Sequence, residues 1–227
     1  MAPDGRVAIY FAPPEDSSLA IAGAHWLGRA ADSSTPCPQA EILGISEVTA
    51  EARLYGFHAT LKPPFRLAPG KTWPDLVRTT KSLAARIAPF DLPPLAAADL
   101  HGFLALRETI PCAPLQALAD ACVEGLDAFR APPTPEEDAR RRRSPLTPAQ
   151  ERMLTRWGYP YVFEEWFFHM TLTRRLSAME KEFWWPAAKE FFADALRVPQ
   201  RVTDICLFRQ PGAGQVFISA ARLPLRG

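Results

Sequence analysis

Two short segments of the chain alternate between apolar and polar residues, and their sequences are nearly identical. Residues 57–61 read Phe-His-Ala-Thr-Leu, and residues 168–172 read Phe-His-Met-Thr-Leu. Because successive side chains of a strand point to opposite faces, each segment predicts a strand that buries its three apolar residues on one face. The histidine and the threonine of each segment then lie together on the other face.

The rest of the chain predicts short strands that alternate with amphipathic helices, separated by proline clusters and glycine-containing turns. The predicted strands cover residues 7–11, 53–61, 99–106, 166–173, 202–209 and 216–223. The predicted helices cover residues 17–29, 73–88, 111–129, 148–157 and 177–196.

The order helix, motif strand, helix, strand occurs twice, and one further strand follows the second copy. This order predicts an α+β fold of two similar lobes, whose antiparallel sheets face each other across a central cleft with helices on the outside. We expect residues 1–227 to form a single bilobal domain with a charged insertion near 132–148. The run Arg140–Arg143 inside this insertion is interpreted as a solvated helix face, with contact to an anionic substrate as the alternative.

Composition narrows the class of protein. A hydrophobic content of 48% and a charged content of 22% are typical of a folded soluble chain. The net charge of +1 argues against a large nonspecific nucleic-acid surface. No apolar run is long enough to cross a bilayer and the first residues do not form an export signal, so we expect a cytoplasmic monomer without membrane contact. The four cysteines, without a C-x-x-C pair, are expected to be reduced.

The paired histidines indicate acid–base chemistry. Histidine titrates near neutral pH, so a neutral His58 or His169 can remove a proton from an attacking oxygen while the other, protonated, supplies one to the leaving oxygen. Thr60 and Thr171 can donate hydrogen bonds to anionic oxygens. A phosphodiester has two nonbridging oxygens, and it fits two opposed His/Thr pairs better than an acyl substrate does. The sequence leaves open which histidine is the base.

Longer strings around the motifs resemble a known family. Residues 56–65 (GFHATLKPPF) and 157–161 (WGYPY), followed by 168–173 (FHMTLT), are similar to the two-histidine phosphoesterase superfamily, in the branch of phosphonate-metabolism proteins. The superfamily includes RNA 2′,3′-cyclic phosphodiesterases and RNA-ligase-like proteins. The resemblance implies a bilobal α+β fold and metal-independent, cofactor-free hydrolysis of a cyclic phosphodiester, with a small ribosyl or sugar cyclic phosphate as the leading substrate.

The resemblance also implies roles for particular residues. His58 and His169 become the acid–base pair of a phosphoric diester hydrolase, and Thr60 and Thr171 become the phosphate-binding hydroxyls. Three further residues are expected to contact the substrate. They are Lys62, which has the strand parity of His58, Arg174, which matches a phosphate-contacting position of relatives, and Tyr10 on the N-terminal strand.

Three alternatives remain open at this stage. The first is an RNA 2′,3′-cyclic phosphodiesterase or a 2′–5′ RNA-ligase-like enzyme that binds an RNA end. The second is a non-catalytic module that binds a phosphorylated ligand or an RNA end. The third is a metal-dependent hydrolase, in which His101 or Cys206 joins the two histidines. A glycine-rich phosphate loop is absent from the sequence.

Overall fold

A computed structural model describes residues 5–227, so Met1-Ala2-Pro3-Asp4 and the part of the export-signal prediction that concerns them lie outside the described residues. The strands are β1 (Arg6–Phe11), β2 (Ala59–Phe65), β3 (Phe90–Asp91), β4 (Leu95–Leu100), β5 (Phe103–Glu108), β6 (Met170–Arg175), β7 (Arg201–Val202), β8 (Asp204–Gln210) and β9 (Ile218–Pro224). The helices are α1 (Ser18–Leu27), α2 (Ile45–Val48), α3 (Ala50–Tyr55), α4 (Trp73–Ala84), α5 (Ala113–Gly125), α6 (Pro135–Arg141), α7 (Pro148–Trp157) and α8 (Ala178–Phe192).

Seven strands form one sheet in the order β4-β5-β6-β2-β1-β8-β9, and β3 pairs with β7 in a small second sheet. The pairings are antiparallel, which confirms the predicted α+β class. The two motif strands are neighbours, and their register joins them at the pair Ala59 and Met170. Since both strands begin at this pair and run in opposite directions, the sheet has two halves, β4-β5-β6 and β2-β1-β8-β9, that meet where the two motifs meet.

Three predicted strands are wrong in part. Residues 53–55, the predicted beginning of the first motif strand, belong to helix α3 instead, and the chain turns at Gly56, where a positive φ of 77° favours glycine. The predicted strand at 99–106 is a hairpin, in which β4 and β5 are joined by a tight turn at His101 and Gly102. The second motif strand begins at Met170, later than predicted.

The apolar face of both motifs lies in the main core. Phe57, Ala59 and Leu61 are buried there, and so are Phe168, Met170 and Leu172. Helices α1 and α8 also pack into this core, where the indole of Trp26 donates a hydrogen bond of 2.9 Å to the Leu172 carbonyl. The core therefore fixes the orientation of the strands that carry both histidines. Within residues 5–227, no helix has the length and apolar character that a bilayer crossing requires.

Candidate active site

The alternation of the motifs places four polar side chains on one face of the sheet. His58, Thr60, His169 and Thr171 are all partly exposed, whereas the apolar residues between them are buried. When the register at Ala59 and Met170 is extended by one residue in each direction, each histidine lies opposite the threonine of the other motif. The structure thus brings together four residues from segments that are far apart in the sequence.

His58 is held by a ring contact and two polar contacts. Its imidazole stacks on the ring of Tyr10, with the centroids 3.8 Å apart and an interplanar angle of 24°. Nδ1 lies 2.9 Å from the carbonyl oxygen of Gly56, and Nε2 lies 3.3 Å from Oγ1 of Thr60. Because a carbonyl oxygen only accepts, Nδ1 carries the proton of the neutral ring. The lone pair of Nε2 then accepts from the threonine hydroxyl.

His169 is oriented by the same kind of backbone contact. Its Nδ1 lies 3.2 Å from the carbonyl oxygen of Phe167, two residues earlier, so this ring also carries its proton on Nδ1. The ring packs against Phe103 and Phe167, at centroid distances of 5.9 and 4.9 Å. Among the described residues, no hydrogen bond is made to its Nε2. Each motif therefore presents the basic nitrogen of a neutral imidazole.

Burial favours the neutral form of both histidines. It lowers the pKa of His58 to about 4, although the hydrogen bond to the Gly56 carbonyl acts in the opposite direction. The charge on a protonated His169 lowers the pKa of His58 further, which places the two rings within electrostatic range of each other. Burial also lowers the pKa of His169, and the nearby Arg107 contributes to this effect. These shifts favour the uncharged form of both histidines in the free protein at neutral pH.

A cleft of about 680 Å³ opens beside the motifs. Thr60 and His169 belong to its wall, while His58 adjoins it through the contact of its Nε2 with Thr60. The indole of Trp166 donates a hydrogen bond of 2.8 Å to the Thr60 carbonyl, which ties the cleft wall to the first motif strand. The other residues of the wall are Leu100, His101, Phe103, Arg107, Gln150, Tyr159, Tyr161, Glu164, Glu165, Phe167 and Arg175.

Sequence reasoning missed the two arginines in the cleft wall. Arg107 lies on β5, with its guanidinium carbon 5.5 Å from the ring centroid of Phe167. Leu104 and Leu106 of β5 are buried, so the alternation of this strand places Arg107 on the opposite face. The sequence therefore contained enough information to predict the side to which Arg107 points. Arg175 ends β6 and donates a hydrogen bond to the carbonyl of His101 at the β4–β5 turn.

Lys62 does not contact the cleft, which corrects its interpretation as a substrate-binding residue. Its ammonium is buried, and donates to the Val123 carbonyl at 3.0 Å and to the Asp127 carboxylate at 3.2 Å. The cause is a β-bulge. Tyr10 pairs with Thr60 and the preceding residue of β1 pairs with Lys62, so Leu61 is an extra residue and the strand parity reverses after it.

Arg174 is also directed away from the cleft, and its interpretation as a phosphate contact is corrected too. It forms ion pairs with Glu47 at 3.1 Å and with Glu180 at 2.9 Å. The alternation of β6 accounts for this direction, because Arg174 lies five residues after His169 and therefore on the other face.

Tyr10 is nearly completely buried, and it contacts His58 instead of lining the cleft. Its ring lies within a small aromatic group with Phe208 and Phe217. We therefore treat Tyr10 as a residue that positions His58.

The described residues contain no group of three or more histidine, cysteine or carboxylate side chains placed to hold a metal ion. His101 is in the cleft wall, whereas the thiol of Cys206 is buried and donates to the Asp204 carboxylate at 3.1 Å. All four cysteines are free.

A family model described as "Protein of unknown function (DUF1045)" matches residues 60–218, which is more than two thirds of the chain. The chain belongs to this family. The matched range of the DUF1045 family includes Thr60 and the whole second motif, and it ends before the last residues of β9.

Two curated relatives of this DUF1045 chain are named "Ribose 1,5-bisphosphate phosphokinase PhnN". The protein from Janthinobacterium sp. (strain Marseille) is 39% identical over 98% of this chain and 51% of its own length. The protein from Laribacter hongkongensis (strain HLHK9) is 38% identical over 93% of this chain and 50% of its own length. The chain spans about half the length of these relatives.

Solved structures give more distant matches to the DUF1045 chain. E. coli LigT complexed with NADP+ aligns over 100% of both chains with 16% identity and a TM-score of 0.48. The conserved protein of unknown function ATU0111 from Agrobacterium tumefaciens str. C58 covers 97% of this chain and 86% of its own. Its sequence identity is 11% and its TM-score is 0.44.

Proposed function

We propose that this protein is a metal-independent phosphoesterase that hydrolyses a cyclic phosphodiester, with His58 and His169 as the general acid–base pair. The observation that carries the proposal is the meeting of two His-x-Thr motifs on one face of the sheet, at the pair Ala59 and Met170. The two Nε2 atoms supply basic nitrogens, and Thr60 and Thr171 supply hydroxyl donors for the nonbridging oxygens.

The proposed reaction is a displacement by water at phosphorus. One neutral histidine removes a proton from water, whose oxygen forms a new bond to phosphorus. One P–O bond of the ring breaks, and its oxygen takes a proton from the other, protonated histidine. The neutral form of both histidines is favoured in the free protein, so the proposed reaction needs one of them to gain a proton when the substrate binds. The negative charge of the phosphate favours this, because an opposite charge nearby raises the pKa of histidine.

We propose a small ribosyl cyclic phosphate as the substrate class. The name of the curated relatives contains ribose 1,5-bisphosphate, and they belong by name to the phosphonate-metabolism type that the motifs resemble. Opening a 1,2-cyclic phosphate of ribose 5-phosphate at its 2-oxygen produces ribose 1,5-bisphosphate. A reaction of this kind would supply the substrate in the relatives' name, and both activities could then lie in one longer protein.

The kinase activity in that name is not proposed for this chain. The sequence Gly70-Lys71-Thr72 precedes α4, but position 65 carries a buried phenylalanine where a phosphate-binding loop needs its first glycine. The ammonium of Lys71 lies 5.3 Å from the ring centroid of Phe129. The kinase name therefore fits the half of the relatives that lies outside the match.

The test is a substrate panel with the product identified by phosphorus NMR. It contains ribosyl 1,2-cyclic phosphates, 2′,3′-cyclic nucleotides and short 2′–5′-linked RNAs, each with and without EDTA. We expect the ribosyl compounds to be opened fastest, at an unchanged rate in EDTA. Faster turnover of a 2′,3′-cyclic nucleotide or a 2′–5′-linked RNA would contradict the ribosyl substrate class and favour the RNA alternative. Tight binding without product would favour a binding module, and loss of activity in EDTA would contradict the metal-independent reaction.

A further inference from the structure

A cluster of arginines lies beside Pro64 and Phe65, at the end of β2, and is not used by the acid–base chemistry. Arg6 on β1, together with Arg140 and Arg141 at the end of α6, line one small depression. None of the three forms an ion pair within residues 5–227, although Arg6 donates a hydrogen bond of 2.8 Å to the Gln210 side chain and Glu137 also lines the depression. The neighbouring arginines differ, since Arg66 pairs with Glu137 at 3.0 Å and Arg130 pairs with Asp127 at 2.8 Å.

Arg141 connects this depression to the cleft. Its guanidinium carbon lies 4.4 Å from the ring centroid of Tyr159, and Tyr159 belongs to the cleft wall together with Thr60 and His169. Burial raises the pKa of the Tyr10 phenol, and the charge of Arg141 acts in the opposite direction. The guanidinium is thus within electrostatic range of the ring that stacks on His58.

The environment of Arg141 is unfavourable for a cation without a counterion. Burial lowers its pKa, and the charges of Arg140 and Arg6 lower it as well. A partly buried charge normally has an opposite charge beside it, and the phenols of Tyr159 and Tyr55 offer only weak compensation at neutral pH. A bound anion would supply the missing charge. The depression, about 30 Å³, holds a few water-sized atoms, which suits the oxygens of a phosphate group better than a nucleobase.

We propose that Arg141, with Arg6 and Arg140, forms a second anion subsite that binds a terminal phosphate monoester of the substrate while the motifs hold its cyclic phosphate. This inference rests on the proposed function and specifies its substrate as a sugar carrying two phosphate groups. Arginine suits the task, because its planar guanidinium makes paired hydrogen bonds to phosphate oxygens.

The experiment compares ribose 1,2-cyclic phosphate with and without a 5-phosphate. The wild-type protein should have a lower KM for the 5-phosphorylated compound. Arg141→Gln should raise that KM by about 10- to 100-fold, the range for a hydrogen bond to a charged group, and leave the other KM unchanged. Arg140→Gln, at an exposed position, should act in the same direction with little risk to folding. Arg143→Gln is the matched control, since Arg143 belongs to the same run but lies outside the depression.

Equal changes in both KM values, or none, would overturn the subsite. Calorimetric binding of ribose 5-phosphate, with ribose as the reference, tests it without turnover. Wild-type protein that binds the two equally would also overturn it. If neither cyclic compound is opened but ribose 5-phosphate binds and Arg141→Gln abolishes this, the proposed function fails and the subsite stands.

Discussion

The two motifs have nearly the same sequence but different surroundings. His58 stacks face to face on Tyr10, and its Nε2 already contacts Thr60. His169 lies in the wall of the cleft, and the charge of Arg107 lowers its pKa in addition to burial. Both rings use a carbonyl two residues earlier to fix the proton on Nδ1. The motif therefore sets the tautomer of each histidine, while residues from other strands set how readily it takes a second proton.

Replacing either histidine gives the largest expected effect. His58→Ala and His169→Ala should each lower kcat by about 10²- to 10⁴-fold, because each removes one proton transfer. The pH profile of kcat/KM then shows which histidine is the base and which is the acid. The acidic limb should disappear in the variant that lacks the base, and the alkaline limb should disappear in the variant that lacks the acid. His25→Ala, a change on helix α1, is the control. Full activity in either motif variant would contradict the acid–base assignment.

The basic residues that follow the two motifs, Lys62 and Arg174, also have different surroundings, because Lys62 is buried and Arg174 lies at the surface. Lys62→Ala should lower the free energy of unfolding by about 2–5 kcal/mol, because it removes a buried stem and leaves the Val123 carbonyl without its donor, while Asp127 keeps its pair with Arg130. Arg174→Ala should change it by about 0–1 kcal/mol, since that residue forms ion pairs at the surface. Urea denaturation measures both. Lys62→Met, which keeps the apolar stem, should recover much of the loss. A normal unfolding free energy in Lys62→Ala would contradict the structural role.

Lys62 and Arg174 also show how far the sequence could predict the site. The burial pattern of both motifs follows from alternation within each strand, and the prediction of both His/Thr faces needs only local information. The bulge at Leu61 depends on how β1 pairs with β2, which the alternation of β2 alone does not contain. For Arg174, strand parity alone predicts a side chain directed away from His169, as the structure has it. The resemblance to relatives predicted a phosphate contact instead.

The parts of the fold that could not be predicted from the sequence also depend on contacts between distant segments. The helix at 50–55 ends at a glycine with positive φ, whereas the alternation pattern predicts that its last three residues, 53–55, begin the motif strand. The pairing of β2 with β6 joins residues more than 100 positions apart, and nothing in either segment specifies the partner. Sequence thus predicted which faces are polar, and the three-dimensional packing decides which of them meet.

Thr60 and Thr171 are expected to have similar effects on the rate but different effects on the pKa of His58. Thr60→Val and Thr171→Val should each lower kcat by about 100- to 1,000-fold, as the loss of one transition-state donor does elsewhere. Thr60 also donates to Nε2 of His58, which stabilises the neutral ring. The pKa of His58 should therefore rise in Thr60→Val only. Serine at each position should restore the rate, and unchanged kcat in both valine variants would argue against phosphate binding by these hydroxyls.

A further difference between the motifs concerns the pKa of His58, which proton NMR of its ring can follow in the free protein. In the wild type it should be about 4. Tyr10→Leu exposes the ring to water and should raise this pKa toward about 6.5, whereas Tyr10→Phe keeps the stack and should leave it unchanged. The pKa of His169 should not change in either variant.

The same titration predicts a pH dependence of stability. Because the pKa of His58 is lower in the folded state than in the unfolded chain, the unfolded chain binds a proton first as the pH falls. The contribution of His58 to the free energy of unfolding should therefore decrease as the pH falls from about 6.5 to about 4. Below about pH 4, His58 should cause no further decrease. Tyr10→Leu should flatten this decrease and Tyr10→Phe should not. Equal slopes in the two variants would show that the stack on Tyr10 does not control the protonation of His58.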